Sequence, residues 1–296
     1  MIRIDWKSLD SVAQKYVERL VECAQLYTHS YLKTKILANK MLGYKDFRSL
    51  ILCPPHLLRD QLCPSGIQKE YFVTSYHSFF SRTGKDGENN AVWLTKQLNF
   101  QVCPYCNRAY TFTVEKSQSK SKRTVRPEID HFFPKSDPDY MHLAISFYNL
   151  IPSCPSCNHL KSTQILDFHP YVGDLNKKTT QPKILVDLKT NNKTGDTSLF
   201  PEKPTIHIKP SNTNTQVLCL EELYEQHSDY AKELLDKIQA YNRSLYHPLI
   251  ESFQSIGRTP EEIDRLIWGN YIEEGNFTKR PLSKMTHDIL EQFGII

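Results

Sequence analysis

Two Cys-x-x-Cys pairs carry the strongest chemical signal in this 296-residue chain: Cys103-Pro-Tyr-Cys106 and Cys154-Pro-Ser-Cys157. Each pair places two sulfur atoms on a tight turn, and two such turns can close a tetrahedral zinc site. Four cysteine ligands leave the ion no open position, so a zinc bound there would be structural. We therefore expect Zn²⁺ on these four cysteines to hold together the chain between them.

The segment between the pairs carries groups suited to catalysis. Asp130 and His131 are adjacent, and on a strand adjacent side chains point to opposite faces. The two groups can therefore act together only where a strand ends, and Pro134 just beyond them favours such an ending. At a strand end the carboxylate can hold a hard cation while the imidazole takes a proton from water.

Asn158 directly follows Cys157 on a short helix expected over 154–163. Its amide oxygen is a candidate second ligand, so Asp130 and Asn158 are the expected ligands of a catalytic divalent ion. Mg²⁺ keeps most of its waters and needs few protein oxygens, which suits this sparse set. Lys161 shares a helical face with Asn158 and is a candidate phosphate contact.

Other basic residues suggest contacts with a nucleic-acid backbone. Lys135 follows Asp130 and His131 closely and is a candidate phosphate contact, although a solvated lysine explains it equally well. Lys120, Lys122 and Arg123 belong to a basic, serine-rich stretch that is able to track phosphates. The alternative is that this stretch is simply the tip of a hairpin.

The elements that must position these groups divide the chain into three regions. Residues 1–98 are expected to be mainly helical, with apolar residues at three- and four-residue steps from 8 to 42. Residues 99–165 are expected to form the site-bearing core, with one strand over 109–114, a polar loop over 115–126 and a returning strand over 125–133.

Residues 166–296 are expected to contain short strands followed by helices. The segments 184–188 and 205–209 alternate like strands, and apolar residues from Leu223 to Leu245 predict one long amphipathic helix. A further helix should begin at Thr259-Pro-Glu-Glu262 and end at Gly269. The fold class expected from these elements is α+β.

Composition permits a phosphate-bearing partner without demonstrating one, because the formal net charge is only +4. The beginning of the chain lacks the pattern of a signal peptide, and no apolar run reaches membrane length. We therefore expect a cytoplasmic protein with no membrane association. In that compartment the eight cysteines are better explained by zinc and ordinary thiols than by disulfides.

Three segments of the chain, taken in order, resemble the HNH endonuclease motif. They are Asp130-His131-x-x-Pro134, Asn149-Leu150 and Cys154-x-x-Cys157-Asn158-x-x-Lys161. The resemblance implies a ββα-metal core with a Cys₄ zinc site, flanked by mainly helical regions. It implies that His131 is the general base and that Asn149 fixes the loop and the histidine orientation. Asp130 and Asn158 would bind the catalytic Mg²⁺ or Mn²⁺.

The chain departs from the commonest HNH spelling at its last position, where Asn158 stands in place of a histidine. The neighbouring His159 leaves open which of the two faces the ion. Over residues 103–163 the chain is also similar to a bacterial HNH group that includes the Septu-type anti-phage nucleases. That similarity implies a role in anti-phage defence and an ATPase partner of the SMC/ABC type.

Three functions are compatible with these residues. The leading expectation is an HNH endonuclease that cleaves DNA with a divalent metal; a second keeps the site but cleaves RNA, for example a tRNA. A third is a zinc-dependent module that binds nucleic acid or a partner without activity, which would not need Asp130, His131, Asn149 and Asn158 in order. The long flanking regions suggest association with a partner or a homo-oligomer.

Overall fold

The computed structural model describes residues 1–26, 43–61, 63, 68–118, 121–175, 181–187, 200–241 and 243–296. Its N-terminal region is helical, as predicted. The four helices are α1 (Asp10–Leu26), α2 (Gly43–Ile51), α3 (Glu70–Phe80) and α4 (Asn90–Leu98). Helix α4 begins where the Asn89 side chain accepts hydrogen bonds from two backbone amides. The rest of the predicted N-terminal helix, 27–42, lies outside the described residues.

An antiparallel ribbon follows α4, made of strands β1 (Val114–Gln118) and β2 (Ser121–Val125). Its register places Val114 opposite Val125 and Lys116 opposite Arg123. The prediction of a loop over 115–126 is therefore wrong for the described residues. The sequence of both strands is mostly polar, so it lacks the alternation of apolar residues on which a strand prediction depends.

Strand β3 (Glu128–His131) ends at His131, as predicted, and pairs antiparallel with β4 (Leu150–Ser153). The partner of β3 is thus β4 and not the segment 109–114, which is a correction to the expected pairing. Helix α5 (Pro155–Lys161) follows directly and contacts β3. The sequence of two antiparallel strands and a helix brings residues 128–131 and 155–161 together.

The C-terminal region confirms the two predicted strands and divides the long predicted helix. Strands β7 and β8 pair antiparallel, and the stretch from Leu223 to Leu245 is split among three helices instead of one. The capped helix start at Thr259 and the left-handed end at Gly269 are both confirmed. The elements are β5 (Phe168–His169), β6 (Gly173–Asp174), β7 (Lys183–Asp187), β8 (Thr205–Lys209), α6 (Thr213–Val217), α7 (Leu220–Glu225), α8 (Ser228–Ala240), α9 (Arg243–Ser255), α10 (Pro260–Trp268) and α11 (Ser283–Gln292).

The α+β class is confirmed, because helices surround small two-stranded antiparallel sheets. Buried residues from Met1 to Leu290 form one continuous hydrophobic cluster that includes all three predicted regions. The boundaries near 98 and 165 therefore do not separate hydrophobic cores. Within the described part of the chain, no helix has both the length and the apolar character needed to cross a membrane.

Candidate functional site

The four cysteines of the two pairs converge in the interior. The sulfur atoms of Cys103, Cys106, Cys154 and Cys157 lie within 4.8 Å of one another, and all four residues are buried. Four sulfurs around a zinc ion at about 2.3 Å would stand about 3.8 Å apart, and the Sγ atoms of Cys106 and Cys154 are 4.0 Å apart. The cluster is compatible with a structural zinc site.

Hydrogen bonds and burial shift the pKa values of the cluster thiols in opposite directions. Hydrogen bonds with neighbouring thiols lower the pKa of Cys106 and of Cys154 below the ordinary cysteine value. Burial raises the pKa of Cys103, because the interior disfavours its charged form. The backbone amide of Arg108 also donates to Cys106 Sγ at 3.4 Å, which further favours a thiolate there.

The turn that carries the first pair is anchored by the C-terminal region. Asn107 is buried, with a positive φ of 51°, and its amide donates to the carbonyl of Phe277 at 2.8 Å. Its side-chain oxygen accepts from the amide of Lys284 at 2.9 Å. The Tyr224 hydroxyl donates to the carbonyl of Cys106 at 2.6 Å. Contacts more than 100 residues away in sequence therefore set the position of this turn.

Tyr105 connects the cysteine cluster to the acidic group of the site. It lies between Cys103 and Cys106 in the sequence, and its hydroxyl donates to Asp130 Oδ2 at 2.6 Å. Both side chains are buried. The spacing of the motif gave no sign of this contact, because the two residues are far apart in the chain.

Lys161 holds Asp130 from the other side. Its ammonium nitrogen lies 3.2 Å from Asp130 Oδ2 and donates to the His131 carbonyl at 2.7 Å. Burial raises the pKa of Asp130 and lowers the pKa of Lys161, and the attraction between them opposes both shifts. Lys161 is 0 % exposed. The expected contact of Lys161 with a phosphate has no support in this geometry, because the ammonium group is used inside the protein.

The His131 ring is fixed by one hydrogen bond and one aromatic contact. Its Nε2 lies 2.9 Å from the carbonyl of Ala144, and a carbonyl only accepts, so Nε2 carries the hydrogen. Nδ1 therefore keeps its lone pair. Tyr76 of α3 packs edge-on against the ring with centroids 4.4 Å apart. Burial, followed by the charge of Lys135, lowers the pKa of His131 to about 3, so the ring is neutral at pH 7.

Asn149 ties down the loop that follows His131. Its side-chain oxygen accepts from the amide of Phe133 at 2.8 Å, and its Nδ2 donates to the carbonyls of Phe133 and Leu143 at 3.0 and 3.1 Å. Its own carbonyl accepts from the amide of Phe132 at 2.9 Å. The residue is completely buried, so its amide acts on the loop and does not reach the cleft.

Asn158 has its amide orientation set by a residue that the sequence did not single out. Its Nδ2 donates to Glu128 Oε2 at 2.7 Å, which leaves the side-chain oxygen as the free acceptor. Glu128 and Asp130 lie two residues apart on β3 and share a face. His159 is exposed and also lines the cleft described next.

A cleft of about 360 Å³ opens at the end of β3. Lys135 is half-buried on its wall, with its ammonium nitrogen 5.3 Å from the centre of the Tyr76 ring, and burial lowers the pKa of Lys135. The structure thus brings Asp130, His131, Asn158 and Lys135 to one cavity. Its lining consists of Ile129, Asp130, His131, Pro134, Lys135, Ser136, Asn158, His159, Ser162 and Thr163.

The remaining predicted nucleic-acid contacts lie on the β1–β2 ribbon. Arg123 is exposed on β2. Lys122 belongs to the same strand, but its side chain is outside the described part of the structure, and Lys120 lies outside the described residues altogether. The ribbon is separate from the cleft lining.

Comparison of the chain with protein-family models, with curated proteins and with solved structures finds no significant match.

Proposed function

We propose that this chain is a divalent-metal-dependent endonuclease of the HNH type that hydrolyses phosphodiester bonds in DNA. The observation that carries the proposal is the cleft at the end of β3, where Asp130, His131 and Asn158 meet beside Lys135. A neutral imidazole, a carboxylate, an amide oxygen and an ammonium group are the groups that such a hydrolysis requires.

His131 is the general base in this proposal. The Ala144 carbonyl fixes the tautomer, so Nδ1 is the nitrogen able to take a proton from a water molecule. Tyr76 prevents rotation of the ring by packing against it. Asn149 acts indirectly. Its side chain donates to the carbonyls of Phe133 and Leu143 and so holds the loop that carries the Ala144 carbonyl.

The donor atoms in the cleft fit one hard divalent cation. Tyr105 donates to Oδ2 of Asp130, and Lys161 lies 3.2 Å from Oδ2 and 3.4 Å from Oδ1. Each carboxylate oxygen has two lone pairs, so Oδ1, with one donor, keeps acceptor capacity for a cation. Asn158 offers its side-chain oxygen because its Nδ2 is held by Glu128. Asp130 and Asn158 would therefore hold Mg²⁺ or Mn²⁺, whose charge stabilises the leaving oxygen during phosphodiester hydrolysis.

Lys135 is the residue best placed to meet the substrate phosphate. It lines the cleft, and its charge is close enough to His131 to lower the pKa of the imidazole. Ser162 and Thr163 add hydroxyl groups to the same wall. An ammonium group and hydroxyl donors around a phosphodiester neutralise charge and fix the position of the phosphorus.

The proposal gives the four cysteines a structural Zn²⁺. The zinc would fix Cys157 at the beginning of α5 and Tyr105 next to Asp130, so it would support both sides of the cleft. Thiolate ligands need a reducing environment, which supports a cytoplasmic location. The sequence resemblance supports a role in anti-phage defence and an SMC/ABC-type ATPase partner as further parts of the proposal. The long flanking regions support association with a partner or a homo-oligomer, and RNA is the alternative substrate to DNA.

The test compares the zinc-loaded wild type with His131→Ala on supercoiled plasmid DNA and on total tRNA, each with Mg²⁺, Mn²⁺ or neither. We expect metal-dependent cutting of the plasmid that falls by about 10²–10⁴-fold in the variant, the usual contribution of a general base. His207→Ala is the matched control, because His207 lies on β8 and contacts Glu221 instead of the cleft. If tRNA is cut and the plasmid is not, the substrate is RNA instead of DNA.

Mn²⁺ binding gives a second readout that does not require turnover. Electron paramagnetic resonance should detect one Mn²⁺ per wild-type chain, and Asp130→Asn should abolish it while the zinc content stays unchanged. Cutting that survives His131→Ala would refute the mechanism. A wild type that neither cuts nor binds Mn²⁺ through Asp130 would refute the function.

A further inference from the structure

The β1–β2 ribbon carries an exposed pair of aromatic rings at its base. Tyr110 and Phe112 are 53 % and 46 % exposed, and their rings are stacked with centroids 4.5 Å apart and planes 20° from parallel. Large aromatic side chains usually bury their surface. Two rings stacked on each other in solvent leave a flat outer surface available for another flat group.

The same face of the ribbon continues from apolar to basic. Val114 and Val125 stand opposite each other and are 58 % and 69 % exposed. Two residues further along each strand, and therefore on the same face, Lys116 stands opposite Arg123. The stripe made by Tyr110, Phe112, Val114, Val125, Lys116 and Arg123 is called the ribbon face below.

The other face of the ribbon is turned towards the body of the protein. Glu115, one residue away from both Val114 and Lys116, forms an ion pair with Lys96 of α4 at 3.2 Å. Because side chains alternate along a strand, this contact directs the ribbon face to solvent. The exposure of its residues is thus a consequence of how the ribbon is attached.

Lys116 and Arg123, the two cations of the ribbon face, stand opposite each other. Like charges directly opposite each other on paired strands destabilise the pair, and no carboxylate of the described residues lies within ion-pair distance of Lys116 or Arg123. An anion bound between them would remove this repulsion. Phosphate beside an exposed stacking surface is the combination that single-stranded nucleic acid supplies.

The ribbon is also joined to a strand of the cleft by a short connection. Only Arg126 and Pro127 separate the end of β2 from the beginning of β3, whose last residues are Asp130 and His131. Arg126 is exposed and electrostatically close to Tyr76, whose ring packs against His131 of the cleft lining. The charge of Arg126 opposes the effect of burial, which raises the pKa of Tyr76 to about 12. A strand lying in the cleft therefore meets the base of the ribbon.

We infer that the ribbon face binds unpaired nucleotides of the substrate, with a base stacked on the Tyr110–Phe112 pair and phosphates on Lys116 and Arg123. This inference rests on the proposed function and names its substrate class as nucleic acid with a single-stranded segment. Stacking on a side chain requires a base whose face is free. A continuous duplex offers such a face only at its ends.

The test measures binding of a fluorescein-labelled 20-nucleotide single strand and of the matched duplex by fluorescence anisotropy, without Mg²⁺ or Mn²⁺ so that cutting does not interfere. The wild type should bind the single strand more tightly than the duplex. Tyr110→Ala/Phe112→Ala should weaken single-strand binding by about 5- to 150-fold, the range expected for one lost stacked base. Leu245→Ala/Leu266→Ala is the matched control, because both leucines are exposed elsewhere on the surface.

Lys116→Ala/Arg123→Ala tests the phosphate contacts separately. The logarithm of the binding constant falls as the logarithm of the salt concentration rises. Losing two phosphate contacts should make this slope less negative by about 1.4 for a single strand, a change that a purely structural role would not produce. Lys203→Ala/Lys209→Ala removes the same charge from exposed positions around β8 and should leave the slope unchanged. Circular dichroism and zinc content check that every variant is folded.

Several results would overturn the inference: unchanged binding by both ribbon variants, tighter binding of the duplex, or no binding of either oligonucleotide. Loss of self-association in the ribbon variants, seen by light scattering without any change in nucleic-acid binding, would reassign the face to contact with a second copy. If the ribbon variants bind normally while His131→Ala abolishes cutting, the inference fails and the nuclease stands. If the ribbon binds single strands and the wild type cuts neither substrate, the inference stands and the proposed nuclease activity fails.

Discussion

Replacing Lys161 by methionine should destabilise the fold strongly. Lys161 is completely buried, and its ammonium group lies 3.2 Å from Asp130 Oδ2 and 2.7 Å from the His131 carbonyl. Methionine fills a similar volume but leaves the Asp130 carboxylate buried without its cation, with the Tyr105 hydroxyl and the backbone of His131 still hydrogen-bonded to it. Removing one partner of a buried ion pair typically costs about 3–5 kcal/mol.

The prediction is measured by thermal and urea unfolding of the zinc-loaded protein at pH 7. For a chain of 296 residues, a loss of about 3–5 kcal/mol corresponds to a fall in Tm of about 5–8 °C. Lys161→Met/Asp130→Asn should recover part of the loss, because the uncompensated charge is gone. Lys135→Met is the control, since Lys135 is only half-buried and should change stability by less than about 1 kcal/mol.

The opposite result would restore the interpretation drawn from the sequence. Suppose that the free energy of unfolding of Lys161→Met is within about 1 kcal/mol of the wild-type value, and that its affinity for nucleic acid depends less steeply on salt concentration. Lys161 would then contact phosphate, and the buried-pair reasoning would be wrong. A double variant that is no more stable than Lys161→Met would also contradict it, because the coupling between the two groups would then be absent.

Two further predictions concern the zinc cluster and acid stability. Removal of zinc with a chelator should abolish both cooperative unfolding and Mn²⁺ binding, and adding Zn²⁺ but not Mg²⁺ should restore both. Atomic emission should detect one zinc ion per wild-type chain and none in Cys154→Ser, which checks the ligand set. Burial lowers the pKa of His169 to about 3, well below the 6.5 of an exposed histidine. Below pH 6.5 this histidine is therefore protonated in the unfolded chain but stays neutral in the folded chain. The free energy of unfolding should fall by about 1.4 kcal/mol per pH unit below 6.5 because of this group. His169→Gln should remove that part of the slope in urea unfolding between pH 7 and 5.5, and parallel slopes for the two proteins would contradict the reasoning.

The sequence was most informative where spacing alone decides geometry. Two matched Cys-x-x-Cys turns predicted the convergence of four sulfurs, and the convergence is observed. Pro134 predicted that the strand ends near His131, and β3 ends there. The capping pattern at Thr259 and the glycine at 269 predicted both ends of α10. In each case the deciding interactions lie within a few residues.

The rest depends on contacts between distant residues. Tyr76 meets His131 from a helix more than 50 residues earlier, and Tyr105 meets Asp130 although its position within the Cys-x-x-Cys pair suggests only a turn residue. The face of Lys161 was inferred correctly as one shared with Asn158, but nothing in α5 shows that this turn packs against Asp130. The ribbon was missed because pairing between its own strands, not burial, defines it.

The anchoring of Asn107 has a consequence for the time at which the site can form during synthesis. The turn after Cys106 is held by the carbonyl of Phe277 and the amide of Lys284, 170 and 177 residues later in the chain. A ribosome adding about 5–20 residues per second needs about 10–35 s to travel that distance. From the addition of His131 until the addition of Lys284, the nascent chain contains Asp130 and His131 but lacks the groups that fix Tyr105 beside them. The cleft can therefore be fully assembled only after residues 277 and 284 have been translated.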